Sequence, residues 1–389
     1  MKKSVSYRRM VITAIVSSVL SVIIVLSALF LLVGRLTPSF MKIASMDFLV
    51  RKNHIDETFS DKIEDLLAEG YVSALSDEYA IYYSKDAANK KFDAFEGVKA
   101  GVGITIVFMP ETYNFYVKRV IEGSPADKIG MKTGDVIFSV NGVAIDNKNY
   151  YDCYKELQGE IGKKVPVSYK RNGKNIEDTL ILSDFIIQSV FTDKIDDYGY
   201  VEITTFNDKT VAQFKEKVNA LIEEGVKGLI FNVADNGGGT LDSVIEILDF
   251  LLPEGVIVSV EYNDGVRKVI GKSDEKEIDL PMAVIINSST ASAAELFAAS
   301  IRDYEKGAII GEKSFGKGVM QKTYRLYDRS AIRFTVARYY SKNGVSYNKK
   351  GIEPDINVVL TKEQKMNYYF TSDRENPYVI KAVEYLNGK

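Results

Sequence analysis

PMAVIINSSTASAAELFAASI, Pro281 to Ile301, contains the change of period on which the fold turns. Its first part is a short apolar run of the length and composition of a buried strand. Its second part, from Ser292, is rich in Ala, Leu and Phe and reads as a helix running to Tyr304. Only Ser288-Ser289-Thr290-Ala291 separates them. A strand that feeds directly into a helix is the repeating unit of a layered α/β protein. The same junction sets Ser292 at a helix N-terminus, where backbone N–H groups and the helix dipole favour negative charge. Two readings of Ser292 stand side by side. With Glu295 three residues on it forms a capping box, which needs no chemistry. As a nucleophile, its hydroxyl needs a base to take its proton.

The alternation continues outward on both sides. GYVEITTF (Gly199–Phe206), KGLIFNVA (Lys227–Ala234), VIVSVEY (Val256–Tyr262) and GAIIGE (Gly307–Glu312) read as strands, with helices at Lys209–Glu224 and Leu241–Leu252. Upstream, from Val98, the period shortens. GVGITIVF (Gly101–Phe108), YVKRVI (Tyr116–Ile121), DVIFSVNG (Asp135–Gly142) and KVPVSYKRNG (Lys164–Gly173) are β-rich runs separated by Gly, Pro and Asn turns. One helix is expected at Asn149–Gly159, and this β-rich module ends near Ser183.

A chain of 389 residues has room for two or three units. Apolar residues at 46% and charged residues at 26% are those of a folded protein. The net charge of −3 comes from interspersed signs without a basic face, which argues against a nucleic-acid partner. The N-terminus differs. Lys2, Lys3, Arg8 and Arg9 precede Met10–Val33, a run without a charged residue. About 23 residues at 1.5 Å rise make a helix of about 34 Å, enough to cross a hydrocarbon core. No short apolar region with a small-residue cleavage site is evident, so an uncleaved transmembrane anchor is expected. The flanking positive charges put the N-terminus in the cytoplasm and the remainder outside the cell membrane. Residues 36–95 read as helical, with Phe59, Ile63, Leu66 and Leu67 on one apolar face. The sequence leaves open whether this segment packs on its own domain or pairs with a second copy as a homodimer. Cys153 stands alone and reads as a small packing residue.

The base for Ser292 is not obvious, because the single histidine, His54, lies in the helical segment ahead of both modules. Lysine is the remaining candidate if it is neutral. An amine that ordinarily titrates near 10.4 must be brought toward neutral pH by desolvation, at about 4 kcal/mol. Lys317, flanked by glycines in EKSFGKGVMQ (Glu312–Gln321), is placed to be enclosed by backbone, with Gln321 within reach of its amine. The isolated tetrapeptide FGKG also reads as a plain solvent-facing turn. Asp235-Asn236-Gly237-Gly238-Gly239 ends the KGLIFNVA strand, and its glycines let backbone N–H groups approach a ligand as an oxyanion hole would. It too reads as an ordinary turn before a helix.

Taken together, these elements resemble the C-terminal processing peptidase family, tail-specific serine–lysine proteases with a PDZ domain. The likeness runs through GYVSALSDEYAIYYS, GSPADKIGMKTGDVIFSVNG, GYVEITTF, KGLIFNVADNGGG, NSSTASAAE, GEKSFGKGVMQ, TVARYYSKNG and KGIEPDI. It implies a layered, crotonase-like α/β protease core with an inserted β-rich PDZ domain. It implies the organisation 1–34 cytoplasmic N-terminus and anchor, 35–97 helical segment, 98–184 PDZ domain, 185–363 protease core and 364–389 helical tail. It implies Ser292 as nucleophile, Lys317 as general base, Gln321 as its positioner, and the N–H groups of Gly238 and Ala293 as oxyanion donors, with no cofactor and no metal. Gly101, Val102, Gly103 and Ile104 would form the carboxylate-binding loop, with a substrate's free C-terminus adding as a strand beside GITIVF and gating activity. The family commonly has Asp, Arg and Pro where this chain has Asn232, Ala234 and Gly237. A PDZ-bearing scaffold with an inert protease layer is the alternative. An acyl-CoA enzyme of the same layered fold would carry neither the PDZ module nor the anchor.

Overall fold

The computed structural model describes residues 7–33, 38–54, 62–89 and 98–389, and the chain divides into two compact units, Met1–Leu67 and Ala68–Lys389. In the first, helices span Tyr7–Val33 and Pro38–Asn53. Among the described residues no helix is long and apolar enough to cross a membrane. The anchor expected over Met10–Val33 is therefore not met by the described residues. Phe59, expected on the apolar stripe, lies outside them, as do residues 90–97. The rest of that stripe is not a buried face: Leu66 and Leu67 are exposed, and Val72 is the residue that the Ile63–Ser73 helix buries.

The second unit is organised around a six-stranded sheet. Val190–Ile195 pairs antiparallel with Tyr198–Ile203, after which Leu229–Asn232, Met282–Ile286, Gly307–Gly311 and Ile356–Asn357 add in parallel. Every residue of the Tyr198–Ile203, Leu229–Asn232 and Met282–Ile286 strands is buried. This explains their continuous apolar runs, since a parallel sheet covered on both faces has no solvent side on which to alternate. The Thr210–Glu223, Leu241–Leu251 and Ala293–Asp303 helices contribute to the main core, where Phe206, Phe231 and Phe297 meet. The Pro377–Asn387 helix covers a second cluster with Tyr378, Val379, Ala382 and Leu386.

One strand of the expected α/β alternation sits outside the six-stranded sheet. Gly255–Glu261, which contains VIVSVE, joins a five-stranded antiparallel sheet with Arg267–Ser273, Ala331–Tyr340, Val319–Arg325 and Ile81–Tyr83. The turn through Asn263, Asp264 and Gly265 folds it back on the next strand as an antiparallel hairpin.

The β-rich module is a sheet ordered Ile104–Met109, Asn114–Val120, Val136–Val140, Lys164–Arg171 and Lys174–Ile181, with a helix at Tyr150–Glu156. Its own core holds Val117, Ile137, Val165, Leu180 and Cys153. Val98–Gly101 and Ser183–Ile186, the strands on either side of it in sequence, pair with each other. Phe297 is fully buried, with its ring centroid 5.3 Å from that of Phe231. Phe297→Ala is expected to cost about 3–5 kcal/mol in urea unfolding, while an exposed Leu66→Ala leaves the midpoint nearly unchanged.

Candidate active site

The buried Met282–Ile286 strand ends in a loop tied to the glycine-rich segment beside it. Asn287 and Asp235 exchange two bonds, from Asn287 Nδ2 at 2.8 Å and from Asp235 N at 2.9 Å, and the Thr290 hydroxyl donates to Val233 O at 2.8 Å. Ser292 follows with φ 59° and ψ −120°, a conformation non-glycine residues seldom adopt and one that gathers at functional sites. Gly238 fits into the hollow beside it. A Cβ there would lie 2.9 Å from Ser292 Cβ and 3.0 Å from Ala293 N, and its φ is +100°. Gly238, Ser292 and Ala293 are thus brought together, as their expected roles require. The N–H of Gly238, however, donates to Asn236 Oδ1 at 2.8 Å, so in this conformation it is not presented to a substrate carbonyl. The N–H of Ala293, first in its helix, is one that a helix leaves without an internal acceptor.

The sequence shows Glu295 only as half of a capping box. It does accept the Ser292 N–H, at 2.9 Å to Oε2, while its own N–H donates to the Ser292 carbonyl at 2.9 Å. The same Oε2 accepts the Lys317 N–H at 2.7 Å. Oε1 accepts the Gly316 N–H at 2.8 Å and the Ser314 hydroxyl at 2.5 Å. Glu295 is fully buried. Burial pushes its carboxyl up, and the four donors pull it only part of the way back. One carboxylate therefore fixes the backbone of both members of the expected dyad. Sequence spacing gives the bond to Ser292; it carries no signal for the three donors from the lysine loop.

That loop is enclosed by backbone from residues 345–352. A Cβ on Gly316 would meet Gly351 N at 2.7 Å, and one on Gly318 would meet Asn348 N at 2.6 Å. The Lys349 N–H donates to Gly316 O at 2.7 Å, and the Ile352 N–H to the Ser314 hydroxyl at 2.7 Å. The glycines flanking Lys317 are there to permit this approach. Lys317 Nζ stands 4.8 Å from the centroid of the Tyr79 ring. The Gln321 amide donates to Val319 O and to Thr335 Oγ1, both at 3.3 Å. Thr335 in turn is held by Asp77, through its N–H at 2.7 Å and its hydroxyl at 3.0 Å. Asp77 and Tyr79 lie in GYVSALSDEYAIYYS, a stretch that shares in the family likeness, but the sequence reading gives neither of them a role in the site.

Val102, Gly103 and Ile104, expected to bind a carboxylate, lie between the Val98–Gly101 and Ile104–Met109 strands and at the start of the second. Gly103 has φ +75°, and a Cβ there would strike Ser124 Cβ at 2.1 Å. The carbonyls of Val102 and Gly103 accept from Ala126 N and Ile121 N. Beside the loop is a cavity of about 60 Å³ lined by Val102, Ile104, Ile106, Tyr154, Leu157 and Phe185. Ile104–Met109 is the edge strand of its sheet among the described residues, open to an added strand. On its other side a groove of about 680 Å³ runs from Thr105 and Val107 to Asp235 and Tyr369. Arg119 bridges it to Glu202 at 2.5 Å, with its guanidinium over the Phe191 ring. Tyr369 and Phe370 reach back to Lys118 and Tyr116. Burial, together with the charge of Glu202, pushes the carboxyl of Asp373 up.

The peptidase family S41 matches residues 197–358, and a PDZ domain matches residues 116–171. The chain is 30% identical over 374 residues to the carboxy-terminal processing protease CtpA of Bacillus subtilis (strain 168), across 92% of this chain and 78% of that protein. It is 28% identical over 330 residues to a probable CtpA-like serine protease of Staphylococcus aureus (strain MRSA252), across 84% of this chain and 65% of that one. Among solved structures, a photosystem II D1 C-terminal processing protease superposes with a TM-score of 0.51 at 27% identity, covering 85% of this chain and 92% of its own. A putative S41 protease from Bacteroides fragilis NCTC 9343 gives a TM-score of 0.59 at 17% identity, covering 86% and 99%, a likeness of fold alone.

In Glu295→Gln an NH₂ replaces one acceptor oxygen and faces donors where they need a lone pair. Unpaired buried donors at about 1–3 kcal/mol each put the expected loss in urea unfolding at about 2–5 kcal/mol. Asp77 supplies a pH test. Burial alone would raise its carboxyl, but the Thr335 and Tyr79 N–H groups, the Thr335 hydroxyl and the Arg333 charge outweigh burial and hold it below its ordinary value. A depressed carboxylate contributes stability that is present above its unfolded pKa, about 3.9, and is lost as pH falls through the folded one. Asp77→Asn is expected to lower Tm at neutral pH, with the gap to wild type closing on acidification toward about pH 3.

Proposed function

The chain belongs to peptidase family S41, as a PDZ-bearing serine-type endopeptidase of the C-terminal processing kind, and from that premise we propose that it cuts proteins or peptides near their C-termini through a Ser292–Lys317 dyad. The observation that carries this reading is the shared Glu295 oxygen, which holds the backbone N–H groups of both residues at one point. Ser292 Oγ attacks the scissile carbonyl carbon while its proton passes to the neutral Lys317 amine. The resulting ammonium gives that proton to the leaving amine as the C–N bond breaks, which leaves an acyl ester on Ser292. Water, deprotonated by Lys317, then releases the acid and restores the serine. Negative charge on the carbonyl oxygen falls to the N–H groups of Ala293 and Gly238, the latter once it leaves Asn236 Oδ1. The bond now holding Gly238 supports reading this conformation as a resting one.

In this reading the Val102–Gly103–Ile104 loop receives the free C-terminal carboxylate, the open Ile104–Met109 edge receives the peptide as an added strand, and its docking gates the site. Gln321 steadies the lysine from its place on Thr335. The enzyme works outside the cytoplasm on an N-terminal anchor. The uncharged run Met10–Val33 and the basic residues Lys2, Lys3, Arg8 and Arg9 before it in the sequence support that placement. The test is turnover of labelled casein by the full chain in detergent. Ser292→Ala and Lys317→Ala are each expected to lower kcat by at least about 10³-fold with little effect on substrate binding. Wild type cleaving no faster than Ser292→Ala would instead favour the inert scaffold. Comparing protein C-termini in cells carrying wild type or Ser292→Ala identifies the natural substrates.

A further inference from the structure

The dyad faces a segment that precedes the PDZ module in sequence. Ile81–Tyr83 pairs with Ala331–Arg333 of the long Ala331–Tyr340 strand, in the register Ile81 to Arg333 and Tyr83 to Ala331. This pairing fixes the turn before it. Asp77 accepts the N–H and the hydroxyl of Thr335, and it also accepts the Tyr79 N–H at 3.0 Å. Glu78 reaches Lys349 at 3.8 Å, on the segment that encloses the lysine loop. With its backbone pinned from both sides, Tyr79 lays its ring against Lys317 Nζ.

We propose that Tyr79 and Asp77 are positioning residues of the active site, Tyr79 as the aromatic face on which the Lys317 ammonium rests and Asp77 as the anchor that orients Gln321 through Thr335. The inference rests on the Ser292–Lys317 reading and deepens it. A general base is neutral before the reaction and cationic once it holds the serine proton. The negative face of an aromatic ring attracts a cation within about 6 Å and has much less effect on a neutral amine. An interaction of that kind strengthens as the proton arrives, so it acts on the transition state more than on the ground state. The opposite end of the arrangement is polar. Asp77 holds Thr335, and Thr335 Oγ1 accepts from Gln321, so one carboxylate fixes the direction of the amide expected to steady the lysine.

Other charged and titratable groups lie around Tyr79 and the lysine loop. Glu295 lies beneath its backbone, Asp77 and Glu78 flank Tyr79, Lys349 pairs with Glu78, Arg333 acts on Asp77, and the buried Tyr347 sits by Glu295. Exchanging one ring for another leaves all of these in place, which makes Tyr79 the position at which to test the proposal.

The experiment measures kcat and KM for labelled casein against pH, using the full chain in detergent, for wild type, Tyr79→Phe, Tyr79→Leu and Asp77→Asn, with Ser292→Ala as the baseline. Tyr79→Phe keeps the aromatic face, so both its plateau and the midpoint of its acid limb are expected to match wild type. Tyr79→Leu removes the face and leaves the ammonium less favoured. Its plateau is expected to fall several-fold, and its acid limb to move to lower pH by about half a unit or more. Asp77→Asn is expected to lower kcat at near-constant KM. A structural role alone would reduce the active fraction equally at every pH and leave the midpoint where it is. If Tyr79→Leu does not fold, Tyr79→Met, unbranched and of fuller volume, makes the same comparison. An unmoved profile in the leucine or methionine variant, or a loss in Tyr79→Phe as large as theirs, overturns the proposal while leaving the dyad intact. Wild type no faster than Ser292→Ala removes the dyad and the proposal with it.

Discussion

A buried carboxylate with four neutral donors is the constraint on which this active site is built. Glu295 has no exposed surface, so its charge is tolerable only while its oxygens are saturated. The donors come from Ser292, Ser314, Gly316 and Lys317, on two segments that the sheet alone would leave independent. Withdrawing either segment leaves part of the carboxylate unsolvated. The strained backbone at Ser292 and the closely packed glycines at 316 and 318 are tolerated inside that arrangement, because leaving it costs more than the local strain.

The proposed dyad and the proposed oxyanion donors are not equally committed. The backbone positions of Ser292 and Lys317 are set by a buried ionic group, whereas Gly238 is held by the side chain of Asn236 two residues away. Turning one peptide there breaks one neutral hydrogen bond, typically a net contribution of about 1 kcal/mol. In the proposed mechanism a rigid nucleophile beside one lightly held donor would let a modest binding free energy decide whether charge on the substrate carbonyl is stabilised. The groove beside the PDZ edge strand reaches Asp235, at the start of that same glycine-rich segment, so a peptide lying in it would approach the peptide that has to turn.

What the sequence disclosed follows from the range over which each signal acts. The strand, loop and helix from Pro281 to Ile301 could be read because period and capping are properties of neighbouring residues. The same holds for the module whose turns are marked by Gly and Asn, and for the tail helix opened by Asn376 and Pro377. Sheet membership was less accessible. VIVSVEY has the composition of a buried parallel strand, yet it pairs with Arg267–Ser273 and with Arg338–Tyr340, and only the latter contact requires the distant chain. The environment of Glu295 was hidden for a stronger reason. Three of its donors are backbone or hydroxyl groups about twenty residues downstream, and backbone groups leave no trace in residue identity. Asp77 and Tyr79 lie on the far side of the PDZ module in sequence, and only the pairing of Ile81–Tyr83 with Ala331–Arg333 brings them in.

The paired Val98–Gly101 and Ser183–Ile186 strands give the β-rich module a stem. Neighbouring strands run about 5 Å apart, so the chain enters the module and leaves it at almost the same point. A body attached in this way is a detachable cassette. A short glycine-serine bridge across the stem can close the gap that excision leaves, and a foreign domain whose ends lie equally close can be grafted there without separating the strands on which the rest of the chain is folded.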